Sequence, residues 1–141
     1  MSIDILCVDD DEKLCEFMAK NIRAVFSQVY VMTAYKNQDA WNKLTTGTCD
    51  VILYDLGNDT DETYPFVHKI HELNPDTLIL GVSLADPIMH RPFNPVFADV
   101  LHSDKFYLTH PGTSPRDLYV FESALKTKGI MLQRNQLTPA P

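Results

Sequence analysis

Residues 5–14 read ILCVDDDEKL, four mostly apolar residues running straight into Asp9, Asp10, Asp11 and Glu12. A short apolar run that halts on acids reads as a buried strand with a polar carboxyl end. Carboxylates this close repel, and each raises its neighbour's pKa unless a cation or a helix amino terminus offsets the charge. The stretch therefore implies a strand, a turn into a helix, and something positive gathered at the turn.

Outward from this point the same alternation repeats. IDILCV (3–8) is the first strand, and Leu14, Phe17, Met18, Ile22 and Val25 fall on one face of the helix after it. QVYVMTA (28–34) reads as a second strand and NQDAWNKL (37–44) as a short helix burying Ala40, Trp41 and Leu44. CDVILYD (49–55) is a third strand that again ends in an acid, and residues 61–73 form a helix with Phe66, Val67 and Ile70 on one face. DTLILGVS (76–83) is a fourth strand, KFYLT (105–109) a fifth, and residues 114–128 a last amphipathic helix in which Ser114 caps and Pro115 takes the first helical position. Strands that alternate with helices and are themselves almost continuously apolar predict an α/β fold, a parallel sheet covered on both faces. Residues 85–104 hold Pro87, Pro92 and Pro95 where a fourth helix belongs, so an irregular segment is expected there. It would present Ile88, Met89 and Phe93 as a pre-set partner surface. Residues 1–128 form one domain in this reading, and 129–141, with two prolines and little apolar content, a tail or the start of a linker.

The chain's 141 residues suit a single core. Its net charge of −7 and lack of a basic cluster argue against direct nucleic-acid binding. No apolar run reaches the roughly 18 residues of a membrane span, and no basic region follows Met1, so a cytoplasmic location is expected. Cys7, Cys15 and Cys49 form no C-x-x-C pair and are expected to be reduced.

In an open parallel sheet the site lies at the carboxyl ends of the strands. Those ends carry Asp9 and Asp10, then Asp55, then Ser83, then Thr109 and His110. Three carboxylates on one edge call for a hard divalent cation, most plausibly Mg²⁺. Such an ion, held by few carboxylates, takes remaining ligands from water and phosphate, which suggests phosphoryl chemistry with Asp55 as nucleophile. Ser83 and a protonated His110 would then contact the phosphoryl oxygens. Asp11 reads as a helix N-cap. His68 and His71 read as an exposed polar face, and Phe17, Met18, Trp41 and Phe121 as core.

In order and in fit to the strand ends these motifs resemble the receiver domains of two-component response regulators, over about residues 3–128. The matching residues are Val8, Asp9 and Asp10; Asp55 in VILYDL; Ser83 in GVSLAD; and Tyr107 with His110 and Pro111. The resemblance implies a flavodoxin-like, doubly wound five-stranded sheet of order 2-1-3-4-5, here with an irregular fourth helix. It further implies phosphorylation of Asp55, Mg²⁺ on Asp9, Asp10, Asp55 and the Gly57 carbonyl, and a switch through Ser83 and Tyr107. Implied partners are a sensor histidine kinase or phosphotransfer protein and a downstream target or fused effector domain. The domain itself would not be an enzyme.

Four departures accompany the likeness. His110 stands at the usual lysine, the loop after Asp55 lacks its usual signals, Leu84 is bulky where a small residue is preferred, and the stretch from Ser83 to Tyr107 is long. They leave a second reading, a pseudo-receiver acting as a phosphorylation-independent interaction module. A third is a haloacid-dehalogenase-type phosphatase, from the spacing of Asp9 and Asp11, although Lys13 stands where such enzymes carry a hydroxyl.

Overall fold

The apolar runs and amphipathic stretches fold in alternation: β1 (Ile3–Val8), α1 (Glu12–Val25), β2 (Val29–Ala34), α2 (Asn37–Thr46), β3 (Val51–Asp55), α3 (Thr63–Leu73), β4 (Leu78–Ser83), β5 (Asp99–His102) and α4 (Pro115–Lys126). The structure is a computed structural model and describes residues 2–56, 63–83, 99–102 and 115–135. Its five strands form one sheet in the order β2-β1-β3-β4-β5, with all four pairings parallel. The doubly wound sheet, its strand order and the flavodoxin-like class are those expected.

Strand side chains alternate between two cores because the pleat has a period of two. On one face Ile3, Ile5, Cys7, Val51, Leu53, Leu78, Leu80 and Val82 pack with Met18, Ile22 and Val25 of α1 and with Phe121, Ala124 and Leu125 of α4. On the other, Leu6, Val8, Ile52, Tyr54 and Ile79 pack with Ala40 of α2 and Val67 and Ile70 of α3. Both faces are thus covered, which is why these strands carry so few polar residues.

Two expectations are corrected. The fifth strand is Asp99–His102, paired with β4 from Leu80↔Asp99 to Ser83↔His102. It is built from the end of the 85–104 stretch, and KFYLT lies outside the described residues. A strand of four residues with an acid and an imidazole at its ends carries too weak an alternation to stand out beside three prolines. Ile88, Met89 and Phe93 also lie outside the described residues.

The second correction concerns α1, whose buried face is Cys15, Met18, Ala19, Ile22 and Val25. Leu14 and Phe17 sit beside that stripe and remain 36% and 43% exposed. Small Cys15 and Ala19 occupy the buried stripe, and the two larger side chains stand at its margin.

The segment expected to be a tail or the start of a linker makes contacts with the domain over residues 130–135. Ile130 and Leu132 lie against the α1/α4 core, and Phe26 and Arg134 form an antiparallel bridge. Ser27 N–H donates to the Gln133 carbonyl at 2.9 Å, and Asn135 N–H to the Val25 carbonyl at 2.8 Å. Arg134 pairs with Glu122 of α4 and lies over the Phe26 ring, 5.9 Å from its centroid. A short strap needs only a few such contacts when its backbone groups find partners. Residues 136–141 lie outside the described residues.

Other details agree with the sequence reading. Asp11 is the N-cap of α1, its carboxylate accepting from Leu14 N–H at 3.2 Å. Pro115 opens α4, and His68 and His71 are exposed. All three cysteines are free and buried. Among the described residues no helix is long and apolar enough to cross a membrane.

Candidate metal and phosphoacceptor site

Strand register assembles the site. Parallel β1 and β3 pair as Ile5↔Val51 through Val8↔Tyr54, so Asp9 and Asp55 each follow the last paired position and come out side by side. By strand parity both belong to the face that carries Cys7 and Leu53. Here too the chain reverses direction across the sheet: β2 lies on one side of β1 and β3 on the other. Such a switch point is where open α/β sheets bind ligands.

Carboxylate oxygens of Asp9, Asp10 and Asp55 lie within 4.8 Å of one another. Asp9 is 3% exposed, Asp55 half-buried and Asp10 exposed. Asp9 is held at both ends of its residue. Its N–H donates to the Ala34 carbonyl at 3.0 Å, and its Oδ1 accepts from Asp11 N–H at 2.9 Å. The amino terminus of α1 offsets part of the negative charge, since helix starts favour anions by about 0.3–1 kcal/mol each. Three carboxylates exceed what one helix end neutralises.

The donor set suits a hard cation. Octahedral Mg²⁺ with oxygens at about 2.0–2.1 Å places ligand oxygens roughly 3 Å apart in cis and roughly 4.2 Å in trans. A triad spanning up to 4.8 Å fits such an ion when at least one carboxylate reaches it through water, the usual way Mg²⁺ is held. Sulfur is unavailable nearby. Burial first, and then the Asp9 charge, push the Cys15 thiol up to about 12, and Cys15 Sγ is engaged with the Cys7 carbonyl at 3.3 Å. Among the described residues the donors gathered here are carboxylate oxygens, the ligand type that suits a hard cation.

Ser83, the remaining strand-end residue expected at the site, closes β4 one position beyond Val82, the register partner of Asp55. Gly57, Leu84, Tyr107 and His110 lie outside the described residues. The position at the carboxyl end of β5 belongs to His102, paired in register with Ser83. Sequence reading also missed Tyr54 and Asn37. The Tyr54 hydroxyl donates to Asn37 Oδ1 at 2.7 Å, and its ring lies 5.9 Å from that of Phe66. Phe66 in turn meets Trp41 edge-on at 6.3 Å, and Lys69 Nζ stands 4.0 Å over the Trp41 ring. No local pattern announces such contacts, because they depend on how α2 and α3 lie on the sheet.

No family model matches the sequence, and no curated protein does. Solved structures do match. A CheY-like response regulator receiver domain protein from Methanospirillum hungatei aligns with a TM-score of 0.70 at 18% identity, over 92% of this chain and 98% of that one. The chemotaxis response regulator CheY4 of Vibrio cholerae aligns at 0.68 and 19%, over 89% and 100%. The response regulator TrrA of Thermotoga maritima, solved in complex with Mg²⁺ and BeF, aligns at 0.67 and 14%, over 87% and 99%. Identities this low speak for architecture alone, and the agreement covers nearly the whole of each neighbour: this chain has the fold of the response regulator receiver domains, in a widely diverged sequence.

Proposed function

We propose that this chain is a phosphoacceptor receiver in which Asp55 takes a phosphoryl group from a histidine kinase, a phosphotransfer protein or a small phosphodonor. The observation that carries the reading is the gathering of Asp9, Asp10 and Asp55 at the β1/β3 switch point. Asp9, Asp10 and Asp55, with the Gly57 carbonyl that the resemblance adds, would hold Mg²⁺. Bound there, the ion supplies neutralisation of the charge on the transferred group.

An ionised Asp55 oxygen attacks phosphorus. The new O–P bond forms as the bond to the donor nitrogen or oxygen breaks, and the donor leaves with that electron pair, taking a proton as free imidazole or remaining a carboxylate. Ser83, at the end of the neighbouring strand, would donate its hydroxyl to a phosphoryl oxygen. A cation is needed on the far side. With β5 ending at His102, the first basic residue after the strand is Lys105, three along the chain, whereas His110 is eight along. An ammonium is a compact point charge, and Lys105 suits that role better than the imidazole of His110.

Leu14 and Phe17, three residues apart and exposed on α1 just after the acids, offer an apolar contact for a protein donor. The haloacid-dehalogenase reading is disfavoured because Asp11 is spent as a helix cap. Accordingly we expect no turnover of generic phosphate esters, the domain serving as an acceptor rather than an enzyme.

Incubation with Mg²⁺ and acetyl phosphate should add one acid-stable, base-labile phosphoryl group, and Asp55→Asn should not be labelled. An unlabelled wild-type protein with metal binding intact would instead favour the phosphorylation-independent interaction module.

A further inference from the structure

We infer that the turn joining β2 to α2 sets the spacing between Asp9 and Asp55, with Asn37 and Tyr54 as the positioning residues. The inference rests on the receiver reading above and concerns how its metal site is held.

Tyr54 is the last residue of β3 in register with β1, through Val8↔Tyr54. Asp55, next along, pairs only on its other side, with Val82 of β4. One residue past the register with β1, Asp55 owes its position relative to Asp9 to the anchoring of Tyr54 as well as to its pairing with β4. Tyr54 is 5% exposed, and its hydroxyl donates to Oδ1 of Asn37, the first residue of α2, at 2.7 Å. Three residues earlier, the Ala34 carbonyl accepts the Asp9 N–H at 3.0 Å. A single short segment, Ala34–Asn37, thus grips both acid-bearing strand ends, one by its backbone and one by a side chain. Phe66 packs beside the same ring, 5.9 Å between centroids. Partners that orient metal ligands from behind change metal affinity by about 10–100-fold when removed. Tyr54 acts one residue further back, so a smaller effect is expected.

The test is calorimetric Mg²⁺ titration of the full chain as wild type, Tyr54→Phe, Asn37→Ala and the double variant. Each single change should weaken Mg²⁺ by roughly threefold to tenfold. The double variant should be no weaker than either single one, because all three lack the same bond. Mg²⁺ affinity within about twofold of wild type in both single variants, alongside a lowered Tm, would overturn the inference by showing the bond to be only structural. A wild type that binds no Mg²⁺ would overturn the receiver reading and this inference with it, a result distinct from the first. Should Asn37→Ala fail to fold, Tyr54→Phe, which removes one oxygen and keeps the ring, carries the comparison.

Discussion

The side-chain amide of Asn135 donates to the carbonyl of Ala24 at 2.7 Å, closing the carboxyl end of α1 from more than a hundred residues away. Together with the Asn135 N–H on Val25, it satisfies carbonyls that every helix end leaves without intrahelical donors. Residues 130–135 are therefore a structural part of the domain. Cutting the chain after Gly129 removes these bonds, at about 0.5–1.5 kcal/mol each, and the apolar cover of Ile130 and Leu132, at roughly 1 kcal/mol each. A loss on the order of 3 kcal/mol is expected in urea unfolding, and about 1 kcal/mol for Asn135→Ala alone. Unchanged midpoints would show the strap to be incidental.

Removal of Asp10 should uncouple stability from Mg²⁺. A ligand that binds only the folded state stabilises it by about 2.7 kcal/mol at a hundred times its Kd. The wild-type Tm should therefore rise with Mg²⁺, and that of Asp10→Asn should not. Without metal the variant should be at least as stable as wild type, since a like charge has left the triad. Equal Mg²⁺ shifts in both proteins would place the ion elsewhere.

The position of β5 predicts which cation serves the phosphoryl group. Lys105→Met should slow acetyl phosphate labelling of Asp55 by about tenfold or more, the scale of losing one charge-stabilising donor, while His110→Ala should change the rate less than about threefold. The reverse order of effects would restore the role to His110.

Alkaline pH should destabilise the protein through its thiols. Burial pushes Cys15 and Cys49 from 9.0 up to about 12, and raises Cys7 well above its ordinary value. A group whose folded pKa is raised contributes stability that is complete below the unfolded value and lost as pH climbs through the folded one. The urea midpoint should therefore fall between about pH 9 and 12, and less steeply in Cys49→Ser. Below that window alkylating reagents should modify the cysteines only as fast as the chain opens; rapid labelling of the native protein at pH 8 would contradict the burial of all three.

Much of the architecture was legible along the chain because it depends on local periodicity. Apolar strands that end in acids, amphipathic helices between them and Asp11 before α1 specify a parallel sheet with its acids on one edge. Asp9, Asp10 and Asp55 could be brought together by topology alone, since parallel strands present their carboxyl ends on the same side. Features that depend on contacts between distant elements were not legible. The four-residue β5 is a strand because β4 offers it an open edge, the strap at 130–135 is ordered because α1 and α4 leave carbonyls and an apolar groove for it, and Leu14 and Phe17 stand at the margin of the stripe that α1 buries. The grip of Ala34–Asn37 on Asp9 and Tyr54 belongs to the same class. Sequence determined which acids share one edge of the sheet; only tertiary packing decided what holds them within 4.8 Å of one another, because hydrogen bonds across dozens of residues leave no periodic trace in the chain.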